Sequence, residues 1–231
     1  MSGQHPRTHV VTGAGSGIGE VLATRLAERG DSLVLLARSA ARAEELGSRF
    51  ADAQVLVADL ADPGMLNGLG REIDGPVDSL VHVAGVVELA EVARLRLQEM
   101  EHQLAVNLVA PALLTRELLP HLRAARGTVV FVNSTSGLSA SAKWGAYAAS
   151  KFGLRAMADV LREEEKGAGV RVTSVFPSRT ATPMQEQVHE QEGVDYDPTR
   201  WIQPATVADM VLHVLDLPED ATVPEVVVRP R

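Results

Sequence analysis

Two kinds of segment alternate along the chain. Short apolar runs bounded by Gly, Asp or Pro occur at His9–Thr12, Ser32–Ala37, Gln54–Ala58, Ser79–Val83, Thr128–Asn133, Arg171–Phe176 and Glu225–Val228, and predict strands. Longer Ala/Leu/Arg/Glu-rich segments with helical spacing lie between them: Gly17–Arg29, Ala40–Phe50, a weaker Pro63–Glu72, Leu95–Ala124, Ala146–Lys166 and Pro204–Leu215. Asp62-Pro63 reads as a cap followed by Pro in the first turn, and Gly30 and Gly127 follow helix ends. Apolar runs without strict alternation suit strands covered on both faces. The pattern therefore predicts an α/β, three-layer, doubly wound fold around a mostly parallel seven-stranded sheet, with right-handed crossovers.

No repeat, low-complexity segment or linker interrupts residues 1–231, which predicts a single domain. One segment breaks the rhythm. From Thr180 to Gln203 neither a clear strand nor a clean amphipathic helix is readable. Its place just after a strand end points to a lid.

Composition narrows the chemistry. Hydrophobic residues make up 45% of the chain, ample for a core, yet it holds only four Phe, two Trp and two Tyr. Val, Leu and Ala must therefore fill the interior. The lack of cysteine excludes disulfides, thiol catalysis and cysteine-based metal sites. A net charge of −8 argues against nucleic acid as a partner. No segment approaches the ~20 apolar residues of a membrane span, and Met-Ser-Gly-Gln-His-Pro-Arg-Thr at the start has no apolar run, so a cytoplasmic location is expected. The seven His show no His-Glu-x-x-His spacing, so no metal site is expected. Ser134, Ser136, Ser139 and Ser141 lack a Gly-x-Ser-x-Gly elbow. Glu163-Glu164-Glu165 reads as a solvated helix face.

Two stretches carry candidate chemistry. Gly13-Ala14-Gly15-Ser16-Gly17-Ile18-Gly19 sits between the first predicted strand and the first helix. Glycines there permit a tight turn and let the backbone approach a pyrophosphate, whose charge meets the helix N-terminus. No Lys-Ser or Lys-Thr follows, which excludes a nucleoside-triphosphate loop and leaves a dinucleotide. At the end of the second strand, where an acid would bind the ribose 2′-hydroxyl, stands Arg38. A planar cation suits a 2′-phosphate, with Arg42 adding charge, so NADP(H) is expected over NAD(H). The second stretch is Ser134–Lys151. Tyr147 and Lys151 are one helical turn apart, and an ammonium beside a phenol favours the phenolate. Such a pair can exchange a proton with a substrate oxygen, although the same spacing is common on solvated helix faces.

Thr12-Gly13-x-x-x-Gly17-x-Gly19 together with Tyr147-x-x-x-Lys151 resembles the short-chain dehydrogenase/reductase family. The resemblance implies a Rossmann fold and further roles. Asp59 and Leu60 would flank the adenine, and Ala84 and Gly85 would let the cofactor ribose pass. Asn107 would support a water-linked proton relay, and Ser134 would orient the substrate oxygen. Pro177, Thr180 and Thr182 would line the nicotinamide end, with Thr182 at its carboxamide. Two positions depart from the family pattern. His82-Val83-Ala84-Gly85 replaces Asn-Asn-Ala-Gly, which puts the rigidity of this strand end in question, and Ser178 replaces a glycine.

These readings imply hydride transfer between nicotinamide and a small carbonyl or secondary alcohol, with Tyr147 as general acid/base. Lys151 would lower the Tyr147 pKa and hold the nicotinamide ribose. Between Pro183 and Gln203 five acids (Glu186, Glu190, Glu192, Asp195, Asp197) face only Arg200, which disfavours acyl-carrier substrates, tempered by Arg179. Trp144, Leu138, Met184 and Trp201 are candidates for an apolar pocket wall. The family commonly forms homodimers and homotetramers through helices beginning near Leu95 and Ala146. Two alternatives stand beside this reading. One is a catalytically silent NAD(P)-binding sensor, which a damaged Ser, Tyr, Lys or Asn would favour. The other is an epimerase or dehydratase, which the lack of a separate substrate domain disfavours.

Overall fold

The computed structural model describes residues 6–231. The expected lack of a signal sequence falls largely on residues 1–5, outside the described residues. Strands β1 (Thr8–Thr12), β2 (Ser32–Ala37), β3 (Gln54–Val57), β4 (Ser79–His82), β5 (Thr128–Val132), β6 (Arg171–Pro177) and β7 (Glu225–Val228) form one sheet in the order β3-β2-β1-β4-β5-β6-β7. Every neighbouring pair is parallel, so the sheet is wholly rather than mostly parallel. Strand order reverses between β1 and β4. The crevice at their carboxyl ends is the place where an open α/β sheet receives a ligand.

Helices α1 (Gly17–Glu28), α2 (Ala40–Arg49), α3 (Leu97–Leu104), α4 (Ala110–Ala125), α5 (Gly145–Glu165), α6 (Pro183–Glu192) and α7 (Pro204–Leu215) cover the two faces or flank the sheet's carboxyl end. Two apolar cores result, one on each face. Leu114, Leu118 and Leu122 of α4 and Leu154 and Leu161 of α5 pack on Val10, Leu80, Val129 and Phe131. Leu22 and Leu26 of α1, Leu46 of α2 and Val207 and Val211 of α7 pack on Val11, Leu35, Val81 and Val130. Successive strand residues thus serve opposite cores, which is why the runs are apolar throughout.

Three predicted elements differ. The segment Leu95–Ala124 is broken: α3 passes into a π-helical turn, Ala105–Val109, before α4 resumes. Pro111 lacks the N–H that an α-helix would aim at the Asn107 carbonyl, which loosens the ladder there. Pro63–Glu72 forms two short 3₁₀ turns, Pro63–Leu66 and Leu69–Glu72, rather than a helix. Residues 180–203 are not irregular. They hold α6 and a 3₁₀ turn at Pro198–Arg200. Thr182 caps α6 by accepting from Gln185 N at 3.3 Å, Pro183 opens its first turn, and Gly193 closes it in the left-handed region.

Candidate active site

A cleft of about 1090 Å³ runs across the carboxyl ends of the strands. Gly13, Gly15, Ser16, Gly17 and Ile18 line one end; Ser134, Tyr147, Lys151, Pro177, Thr180 and Thr182 line the other. Arg38, Asp59, Leu60, Ala84 and Gly85 also line it, so nearly every residue singled out in the sequence meets in one place. Gly19 and Asn107 stand behind the wall.

The cradle is closed by glycines that no other residue could replace. A Cβ on Gly13 would lie 2.7 Å from Ala84 N, and its φ of +74° is left-handed. A Cβ on Gly19 would lie 2.2 Å from the Gly13 carbonyl, so only glycine lets α1 pack under the turn. Ser16 precedes α1 without a side-chain cap, leaving the first N–H groups of the helix to face the cleft. That arrangement fits a pyrophosphate. Exposed Arg38 follows the last residue of β2. Arg42, on α2, donates from Nη2 to the Gly15 carbonyl at 2.7 Å and pairs with Glu45, bringing a second cation onto the cradle. Asp59 accepts from Ala61 N at 2.9 Å, which fixes the turn beyond β3.

The departure at residues 82–85 leaves no loose strand end. Thr12 Oγ1 accepts from Val83 N at 3.1 Å and from Ala84 N at 3.2 Å. His82 stacks on Phe131 with ring centroids 5.0 Å apart, and its Nε2 lies 2.9 Å from Thr115 Oγ1. The Thr115 hydroxyl donates to the Pro111 carbonyl at 2.7 Å, so it accepts from His82 and fixes the Nε2–H tautomer. Burial, helped by the Lys151 charge, pulls the His82 pKa down to about 3. The questioned rigidity is supplied by Thr12, His82 and Thr115. Ser178 is accommodated likewise: its N–H donates to the Val228 carbonyl at 2.9 Å.

The four candidate catalytic side chains are held by their neighbours. Asn107 accepts from Val86 N and donates to Val86 O, both at 2.9 Å, and also donates to Ser150 Oγ at 3.0 Å. Ser150 in turn donates to the Tyr147 carbonyl. The π-helical turn places Asn107 there. Buried Lys151 donates from Nζ to the Val132 carbonyl at 3.3 Å, and burial lowers its pKa to about 8. Tyr147 is buried edge-on against Trp144, ring centroids 5.6 Å apart. Nζ lies 5.7 Å from the Tyr147 ring centroid.

The expected depression of the Tyr147 pKa is not found. Burial raises it, and the Ser134 hydroxyl only partly offsets that. The phenol therefore keeps its proton in this state. Ser134 is placed through Asn133, which accepts from Ser134 N at 2.9 Å and donates to the Lys151 carbonyl at 3.1 Å. Sequence reading missed Asn133, which looks there like the last residue of a strand, and Ser150, lost among the Ala and Ser of α5.

The segment 180–203 is tied down. Thr180 bridges Ile202, Gln191 Oε1 accepts from Leu89 N at 2.7 Å, and Arg179 pairs with Glu192 through contacts of 2.8 and 2.6 Å. Thr182 approaches Gly17 so closely that a Cβ there would lie 2.9 Å from its methyl. Trp144 and Met184 line the cleft as expected, but Leu138 and Trp201 do not. Trp201 packs instead against His189, centroids 5.4 Å apart, beneath the Arg179 guanidinium. Among the described residues no helix is long and apolar enough to cross a membrane.

The chain is similar to known proteins. The family model described as short chain dehydrogenase matches residues 7–193. The chain is 33% identical over 234 residues to glycine betaine reductase ATRR of Emericella nidulans, covering 96% of the chain but 18% of that protein, so it spans only a small part of that relative's length. It is 29% identical to an uncharacterized oxidoreductase of Staphylococcus epidermidis, with 96% of both chains covered. Among solved structures, a putative short chain dehydrogenase of Escherichia coli CFT073 complexed with NADPH superposes with a TM-score of 0.87 at 28% identity, covering 97% of each chain. One from Shigella flexneri 2a str. 301, complexed with NADP, gives 0.86 at 27% identity over 96% of each.

Proposed function

The chain belongs to the short-chain dehydrogenase family and is a nicotinamide-dependent oxidoreductase, and from that premise we propose that it reduces a small carbonyl compound with NADPH, or oxidises the matching secondary alcohol. The observation that carries this reading is the common cleft: a glycine cradle at one end, Ser134, Tyr147 and Lys151 at the other. The bound cofactor supplies the hydride. Tyr147, whose raised pKa keeps it protonated, donates to the oxygen that gains negative charge as reduction proceeds. The Ser134 hydroxyl hydrogen-bonds the same oxygen. Lys151 holds the nicotinamide ribose, and its charge stabilises the phenolate left after the proton has moved. Asn107 keeps the Val86 backbone and Ser150 in register behind this wall and supports resupply of the proton. Gly13–Gly19, Asp59, Leu60, Ala84, Gly85, Pro177, Thr180 and Thr182 hold the cofactor, and Arg38 with Arg42 selects the 2′-phosphate.

In this reading residues 1–231 form one domain with 180–203 as its substrate cover, and the protein works in the cytoplasm. It self-associates through the face of the π-helical turn and α5 where Val109, Phe152, Met157 and Val160 are exposed. The test is spectrophotometric: NADPH oxidation across a panel of ketones and aldehydes. Turnover of at least one small carbonyl supports the proposal. NADPH binding with no oxidation by any of them would assign a cofactor sensor instead.

A further inference from the structure

We propose that Gln185 is the substrate-selecting hydrogen-bond donor of the cleft, and that the substrate is a neutral carbonyl compound bearing a second acceptor oxygen near the reacting carbonyl. This rests on the oxidoreductase reading and names its substrate class. Gln185 lies in the first turn of α6, is 7% exposed and lines the cleft beside Met184 and Val188. Its side-chain amide nitrogen Nε2 lies 3.0 Å from His189 Nδ1. The same Nδ1 lies 2.8 Å from the Gln185 main-chain carbonyl.

That carbonyl can only accept, so Nδ1 must carry a proton. The amide atom beside Nδ1 must then also accept, which makes it Oε1 after a half-turn of the amide. The NH2 group is thereby turned away from His189. Among the described residues nothing else hydrogen-bonds the amide, and Gln185 lines the cleft. His189 cannot swing away. It is 3% exposed and wedged between Tyr196 and Trp201, with ring centroids 5.1 and 5.4 Å distant. A donor is thus presented from a fixed helix turn by a locked partner, the condition under which a polar group discriminates strongly.

Charge selects the rest. The Arg179 guanidinium, also on the cleft, is held bidentately by Glu192, so neither offers a free charge to a substrate ion. Val86, Val87, Trp144 and Val188 give the wall apolar surface, and the polar side chains of His102, Ser136 and Ser141 there carry no carboxylate or guanidinium. A keto ester or keto amide matches this set better than a keto acid.

The test compares ethyl acetoacetate with methyl pentyl ketone, and ethyl pyruvate with methyl butyl ketone, in wild type, Gln185→Leu and Gln185→Glu. Keto esters are intrinsically more electrophilic, so the readout is the change in the ester-to-ketone ratio of kcat/KM on substitution. Binding of the corresponding hydroxy esters and alcohols to the enzyme–NADP complex is measured by calorimetry as a readout independent of turnover. Both variants should bind NADPH as wild type does, which confirms folding. Gln185→Leu should lower the ester ratio about tenfold, chiefly through KM, with the ketones nearly unchanged. Gln185→Glu keeps an acceptor for His189 but removes the donor, and should lower the ratio at least as far. An unchanged ratio in both variants, or equal losses for esters and ketones, would overturn the inference. Selective hydroxy-ester binding without any turnover would uphold Gln185 and sink the proposed reaction.

Discussion

Asn107 and Val86 hold each other in both directions: the amide oxygen accepts the Val86 N–H and the amide nitrogen donates to the Val86 carbonyl, each at 2.9 Å. This pairing ties the π-helical turn to the loop leaving β4. Asn107→Ala leaves two backbone groups without partners, and an unsatisfied buried group costs ~1–3 kcal/mol. The unfolding free energy from urea titration should fall by about 2 kcal/mol. Wild-type stability in that variant would show the pairing to be idle.

Lys151 is held as a buried cation at the expense of stability. Its folded pKa of about 8 lies below the ordinary 10.5. Between those values the unfolded chain binds more protons, so this residue makes stability rise with pH across that window, while the burial penalty is fully present below it. Lys151→Met should therefore unfold at a urea concentration no lower than wild type at pH 7, while losing activity. A clear loss of stability would contradict this.

The acid limb of stability should depend on His82. Burial first, and the Lys151 charge second, bring its folded pKa to about 3 from an ordinary 6.5. The unfolded state binds more protons between those values, so stability falls as pH drops from about 6.5 toward 3. His9, lowered chiefly by burial, acts in the same direction. His82→Phe preserves the stack on Phe131 and removes one titrating group. Its urea midpoint should vary less with pH across this window; a wild-type slope would refute the assignment.

Cofactor choice should follow Arg38. Arg38→Ala should raise the Kd for NADPH about tenfold or more, with little change for NADH. Arg42→Ala should weaken both, because Arg42 also braces the Gly15 carbonyl on which either pyrophosphate depends. Fluorescence titration with the two reduced cofactors reads this directly. Equal losses for both cofactors in Arg38→Ala would remove the 2′-phosphate argument.

The strands and the cradle were legible because each rests on local pattern: apolar runs for a sheet covered on both faces, and glycines where only glycine fits at Gly13 and Gly19. α6 was not legible from periodicity, since Met184 and Val188 give it too little apolar face, although Thr182, Pro183 and Gly193 mark its ends. The break at Ala105–Val109 turns on one missing N–H at Pro111, inside a segment whose composition is helical throughout. The direction of the Tyr147 pKa is not legible from spacing, which shows the neighbouring cation but not the burial that raises it. Gln185 stayed hidden for a related reason: its amide orientation depends on His189, one turn along α6 and locked by Tyr196 and Trp201.

The central claim is that Tyr147 carries the proton. Tyr147→Phe keeps the ring against Trp144 and removes only the hydroxyl. With a carbonyl that the wild type reduces, kcat for Tyr147→Phe should fall by two or more orders of magnitude, roughly the worth of general acid catalysis, while the Kd for NADPH stays unchanged. Turnover within a few-fold of wild type would contradict the account.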